Sequence, residues 1–184
     1  MSETSRTPSA SSSAFLAFAG RIDRFNAAVG RGAAWLCLFV VVVQFAVVVL
    51  RYVFGLGSAR LSESIIYGHA GLFMLAAAWT LQTGGHVRVD VFYADAPPRT
   101  RALVDLCGSL LLLLPFMAVL AWFAMPYVGR SWAIFESSRE TSGLPVVFLL
   151  KTLIPVFALL MALQGVSQAV KAWSVLRTPS APRQ

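Results

Sequence analysis

Four stretches of this chain are apolar for about twenty residues or more, and they leave little room for any other plan. They lie near 33–54, 63–82, 103–126 and 146–170. At 1.5 Å per residue each can cross a hydrocarbon layer about 30 Å thick. Inside such a layer no water satisfies the backbone, so the chain must be helical or close into a barrel. A barrel would be written in short alternating segments, whereas these runs are continuous. The fold class is therefore an all-α membrane protein, with four transmembrane helices and an N-terminal amphipathic interfacial helix. Composition agrees, since 58% of the 184 residues are hydrophobic and only 12% are charged. Soluble domains carry about a quarter.

The segments divide as follows. Residues 1–13 are Ser-rich and too polar to bury a core, so disorder is expected. In 14–32, Phe15, Phe18, Ile22, Phe25 and Val29 recur at spacings of three and four, which puts them on one helical face. Such a helix is expected to lie in the membrane interface beside anionic headgroups; docking against a partner subunit is the alternative. The four-helix domain covers 33–172, and 173–184 form a basic tail. A cleavable signal peptide is not expected, because a long polar stretch precedes the first apolar run.

Within the spans, Gln44 stands near the middle of the first and needs a partner on another helix, for which His69 is the candidate. Ser64, Gly68, Gly71 and Ala78 form a small-residue stripe that lets another helix approach closely. Gly84-Gly85 stops the second helix, and Pro97-Pro98 suits the first turn of the third. Pro145 opens the fourth span, and Pro155 within it is expected to kink the helix or free a carbonyl.

With an even number of spans both termini share a side with the 83–102 loop. That side holds ten basic residues: Arg6, Arg21, Arg24, Arg31, Arg88, Arg99, Arg101, Lys171, Arg177 and Arg183. The other holds five: Arg51, Arg60, Arg130, Arg139 and Lys151. The bias places both termini in the cytoplasm. It also accounts for the net charge of +7 without invoking nucleic acid. Cys37 and Cys107 sit singly in apolar runs and read as small hydrophobes.

Glu63 is the sharpest single residue. An acid in a span can carry protons or bind a cation, or it can remain solvated at the interface. Arg51 ends the first span and Lys151 enters the fourth at similar depth, so an ion-pair cluster of Arg51, Glu63 and Lys151 is the expectation. His69 and His86 cannot share a haem, since 17 residues of helix would hold them about 25 Å apart. No phosphate-binding loop, metal spacing or nucleophile–base pair is present. No enzyme activity, cofactor, substrate site or metal site is expected. The rival functional class is a membrane anchor of a haem- or quinone-linked redox complex, using the region near His69 and Trp79. A self-sufficient four-helix exporter would need an acid deeper in a span than Glu63.

The ordered set Arg51-Tyr52, Glu63, Gly85-His86, Asp90 and Gly143-Leu144-Pro145 resembles the small permease subunit of tripartite ATP-independent periplasmic (TRAP) transporters. Pro155 fits the same pattern, and the likeness covers roughly 33–170. Leu61 and Ser62 stand where a tryptophan commonly precedes the acidic pair, and Ala76 where a glycine is typical. The resemblance implies a scaffold in the bacterial inner membrane that clasps a large permease subunit. A periplasmic substrate-binding protein would deliver an organic acid or related solute, and an ion gradient, usually sodium, would drive uptake. Tyr52, Gly68, Gly71, His86, Asp90 and Pro145 then join Arg51, Glu63 and Lys151 as structural or partner-interface candidates, with membrane lipids as further partners. The loop "GGHVRVDVFYADAPP" then looks like a cytoplasmic strap, with a solvated linker as the alternative. Its period-two pattern would turn Val87, Val89, Val91 and Tyr93 one way and His86, Arg88 and Asp90 the other.

Overall fold

A computed structural model of the chain describes residues 10–86 and 96–177. The strap from Val87 to Asp95, Asp90 included, lies outside the described residues, as do the first nine and last seven. The chain runs up, down, up and down. Helix α1 spans Ala10–Phe54, α2 Ala59–Gln82, α3 Pro98–Cys107, α4 Leu114–Ala133 and α5 Val147–Arg177. A π-helical segment, Gly108–Leu113, joins α3 to α4 so that the two make one span. All four expected spans are present as helices long and apolar enough to cross a membrane.

Helix α1 continues through residues 32 and 33 without a break. Its 45 residues reach about 67 Å, roughly twice a hydrocarbon layer. The five side chains aligned by periodicity divide between environments: Ile22 is buried and Val29 half-buried, while Phe15, Phe18 and Phe25 are exposed. The face of this segment that packs inward carries Ala19, Ile22, Asn26 and Ala27, which is smaller and more polar.

Helices α1 and α2 form a tight antiparallel hairpin, and glycines explain how. A Cβ on Gly68 would fall 2.9 Å from Phe39 and Val40 side chains, and one on Gly71 3.0 Å from Leu36. A Cβ on Gly30 would fall 2.5 Å from Trp79 Cβ. Three glycines therefore set the approach of the two backbones. Helix α5 packs against α1, α2, α3 and α4, and α5 is the chief neighbour of α4 among the long helices. Ala77, Ala78, Met117, Ala158, Leu160 and Met161 make the buried core where α2, α4 and α5 converge.

Helix ends follow local chemistry. Ser58 caps α2 by accepting from the Leu61 amide at 3.4 Å. Gly84, at φ +73°, ends α2. Gly84 N–H donates to Leu81 and Gly85 N–H to Thr80, the paired bonds of a Schellman cap. The π segment precedes Pro115, which has no N–H to give to Leu111; the wider turn carries the Leu114 amide back to Ser109 instead. Helix α5 continues through Pro155 from Val147 to Arg177. Around that proline, an apolar groove of about 380 Å³ lies between the third and fourth spans, lined by Met117, Ala118, Ala121 and Ala158 among others.

Candidate functional site

Polar side chains gather at both ends of the bundle. At the end holding the 55–58 and 134–146 connections, Glu63 sits just over one turn into α2. Its Oε2 accepts from the Leu144 amide at 2.6 Å, and its Oε1 accepts from Ser138 Oγ. The Ser138 amide in turn donates to the Leu144 carbonyl at 3.1 Å. One carboxylate therefore pins both sides of a small loop. Gly143 makes this possible, because a Cβ there would fall 2.7 Å from Glu63 Oε1.

Beside it, Glu136 Oε2 pairs with Lys151 and accepts from Ser131 Oγ at 2.7 Å. The Lys151 ammonium lies 4.1 Å from the centroid of the Tyr127 ring, a favourable cation–π contact. Lys151 first, then the Ser131 hydroxyl, hold the Glu136 carboxyl below the usual carboxylate range. Phe135 aims this group. It stands at φ 44° in a Schellman cap, with its N–H on the Trp132 carbonyl and that of Glu136 on Ser131. A bulky residue in the left-handed region costs roughly 1–2 kcal/mol. Its ring packs on Phe148, centroids 5.7 Å apart, which offsets part of that cost. Trp132 Nε1 donates to Thr152 Oγ1 at 2.9 Å, tying α4 to α5 once more.

The expected cluster of Arg51, Glu63 and Lys151 is thereby corrected. Lys151 takes Glu136 as its partner, and Glu63 is held by hydrogen bonds from the 138–144 loop. No ion pair joins Arg51 to either among the described residues; Arg51 and Tyr52 are both exposed. The reason is geometric: α1 ends facing outward, while the loop after α4 folds back over the start of α2. The expected bond from Gln44 to His69 is not formed either, and both side chains are exposed. In the α1–α2 pairing Leu36 meets Gly71 and Phe39 meets Gly68, so Gln44 lies more than one turn from the level of His69. His86 Nε2 stands 3.2 Å from the Ala77 carbonyl, just past the end of α2. Pro145 lies in the connection two residues before α5 begins at Val147.

The opposite end holds a network that the sequence reading did not single out. Asn26 Nδ2 donates to Gln164 Oε1 at 2.9 Å and to the Leu160 carbonyl at 3.3 Å. Gln164 Nε2 continues to Asp23 Oδ1 at 3.1 Å, and Ser167 Oγ reaches the same oxygen at 2.7 Å. Lys171 pairs with the other oxygen of Asp23. Asn26, Gln164 and Ser167 are at most 1% exposed. Nearby, Gln168 Nε2 donates to the Leu81 carbonyl at 3.1 Å and brings α2 into the same junction. The signal was present as two polar stripes at helical spacing, Asp23-Asn26 on α1 and Gln164-Ser167-Lys171 on α5. Each looks unremarkable until the other is placed against it.

Among the described residues no group of three or more His, Cys, Asp or Glu side chains is gathered that could hold a metal ion. Compared with known proteins, residues 33–175 match the family model described as "Tripartite ATP-independent periplasmic transporters, DctQ component". No curated protein and no solved structure gave a match.

Proposed function

The chain belongs to the DctQ component family of the tripartite ATP-independent periplasmic transporters, and we propose that within such a transporter it acts as a scaffold. The family is one of transporter components, and the chain is a multi-pass membrane protein. In this reading it clasps a large permease subunit. A periplasmic binding protein delivers an organic acid or related solute, and an ion gradient drives uptake. Both termini face the cytoplasm in the inner membrane, as the basic bias favours.

One observation carries the scaffold role. Three carboxylates at the ends of the bundle, Asp23, Glu63 and Glu136, are engaged by groups of the same chain. A coupling site for a mobile ion needs oxygen ligands that the ion can take up; these are already committed to holding helices and a loop together. The exposed apolar surface of α1 and α4, including Phe45, Trp122 and Phe123 at 70% or more, supports insertion among lipids and a neighbouring subunit.

The test is reconstitution. Proteoliposomes holding this chain alone should take up no organic acid under an imposed sodium gradient, and adding the large subunit and binding protein should restore uptake. Flux from the small subunit alone, above that of empty liposomes, would overturn the reading.

A further inference from the structure

The outward face of α1 carries a second pattern, separate from both polar clusters. Arg24, Ala28, Arg31 and Trp35 follow one another at spacings of four, three and four, so they form one stripe along the helix. All four are exposed, Trp35 at 72%. The stripe lies half a turn away from the buried line Ile22, Asn26, Gly30 and Ala33, and therefore faces away from the rest of the bundle. Neither arginine makes a hydrogen bond or ion pair among the described residues. Beyond Trp35 the same side continues as Leu38 and Val42, 55% and 56% exposed.

We propose that this stripe is a binding site for the headgroup of an anionic phospholipid, on the leaflet that the chain's terminal end faces. Arg31 stands two residues before the first long apolar run begins at Ala33. Its guanidinium therefore meets the membrane at phosphate depth, with the Trp35 indole just below in the belt where tryptophan concentrates. Arg24 lies two turns farther out, about 10 Å along the helix, and Ala28 between them leaves space for a headgroup. Guanidinium forks bind phosphate oxygens in pairs. An acyl chain can run down over Leu38 and Val42.

Charge at this end favours an anionic lipid as the occupant. Among the described residues it carries Arg21, Arg24, Arg31, Arg99, Arg101, Lys171 and Arg177 against Asp23 and Asp105, and Asp23 is already paired with Lys171. This geometry differs from a helix lying flat in the interface. Here α1 stays continuous with its span, and the basic face is presented upright.

The experiment is native mass spectrometry of the full chain, titrated with phosphatidylglycerol and, separately, phosphatidylcholine. The wild type should retain phosphatidylglycerol preferentially. Arg24→Gln with Arg31→Gln should weaken retention about twenty-five-fold, roughly fivefold for each guanidinium. The control pair Arg51→Gln with Arg130→Gln, exposed at the other end, should leave it unchanged. Equal retention of the two lipids, undiminished retention by the Arg24/Arg31 variant, or an equal loss in the control would overturn the proposal. So would displacement of the lipid by soluble glycerol phosphate, which would show a phosphate site indifferent to the membrane. If the Arg24/Arg31 variant keeps its lipid but loses a co-purifying large subunit, the stripe belongs to a protein neighbour and the proposal fails.

Discussion

The two ends of this bundle are held together by the same kinds of atom in different ways. At the terminal end, side chains from two long helices meet each other: Asp23 and Asn26 on α1 reach Gln164, Ser167 and Lys171 on α5, largely out of contact with solvent. At the other end a helix carboxylate, Glu63, takes a loop amide and a loop hydroxyl, and Lys151 takes a loop carboxylate. The first arrangement fixes how helices pack. The second fixes where a connection lies. Loss of a partner should therefore be felt as global stability at the terminal end and as local opening at the loop end.

The largest expected effect lies at the α1–α2 crossing beside the terminal network. Gly30→Val would place a branched side chain where even one carbon meets Trp79 at 2.5 Å. Overpacking of this kind costs about 1–3 kcal/mol and sometimes more, and here the obstacle is the base of a large ring. Thermal unfolding of the purified chain in detergent should show the greatest loss in this variant. An unchanged midpoint would mean that the helices are not held this close.

Next comes Gln164→Met, which keeps the volume and removes both hydrogen bonds. It leaves Asn26 without its nearest partner, and the expected loss is about 1–3 kcal/mol. Amide exchange should rise along residues 19–30 of α1 together with 160–171 of α5. A rise confined to one helix would contradict the view that the network joins them.

The smallest effect is conditional on pH. Pairing with Lys151 depresses the Glu136 carboxyl in the folded chain, so its stabilising contribution is present above the ordinary glutamate value, about 4.3, and is lost as pH falls through the lower folded value. Compared with wild type, Glu136→Gln should unfold earlier at pH 7, and the gap should close as pH is lowered through that range. A gap that stays constant with pH would remove the ion pair from the account.

These expectations also mark what could be read from the sequence. Four spans were legible because twenty-residue apolar runs admit few other structures. Glu63 and Lys151 were legible as important because a charge stands out in an apolar run. Their partners were not, because Glu136, Ser138 and Leu144 belong to a loop whose return path depends on the packing of α4 against α5. The terminal network escaped for the opposite reason. Asp23 and Asn26 are polar residues of an amphipathic segment, and only tertiary contact with α5 buries them. Gly68 and Gly71 were found as a stripe, but Gly30 was missed because its need appears only opposite Trp79. The π turn before Pro115 had a local sign in the proline itself, though not in its form.

The most direct measurement concerns Glu63, the one residue for which scaffold and ion-coupling roles predict different things. Glu63→Gln would be assembled with the large subunit and binding protein in proteoliposomes. Uptake would be measured against sodium and substrate concentration, with amide exchange of residues 134–146 followed in parallel. A scaffold role for Glu63 predicts faster exchange in that loop, with half-saturating sodium and substrate concentrations unchanged for each assembled complex. Altered sodium dependence with the loop as protected as in wild type would contradict it.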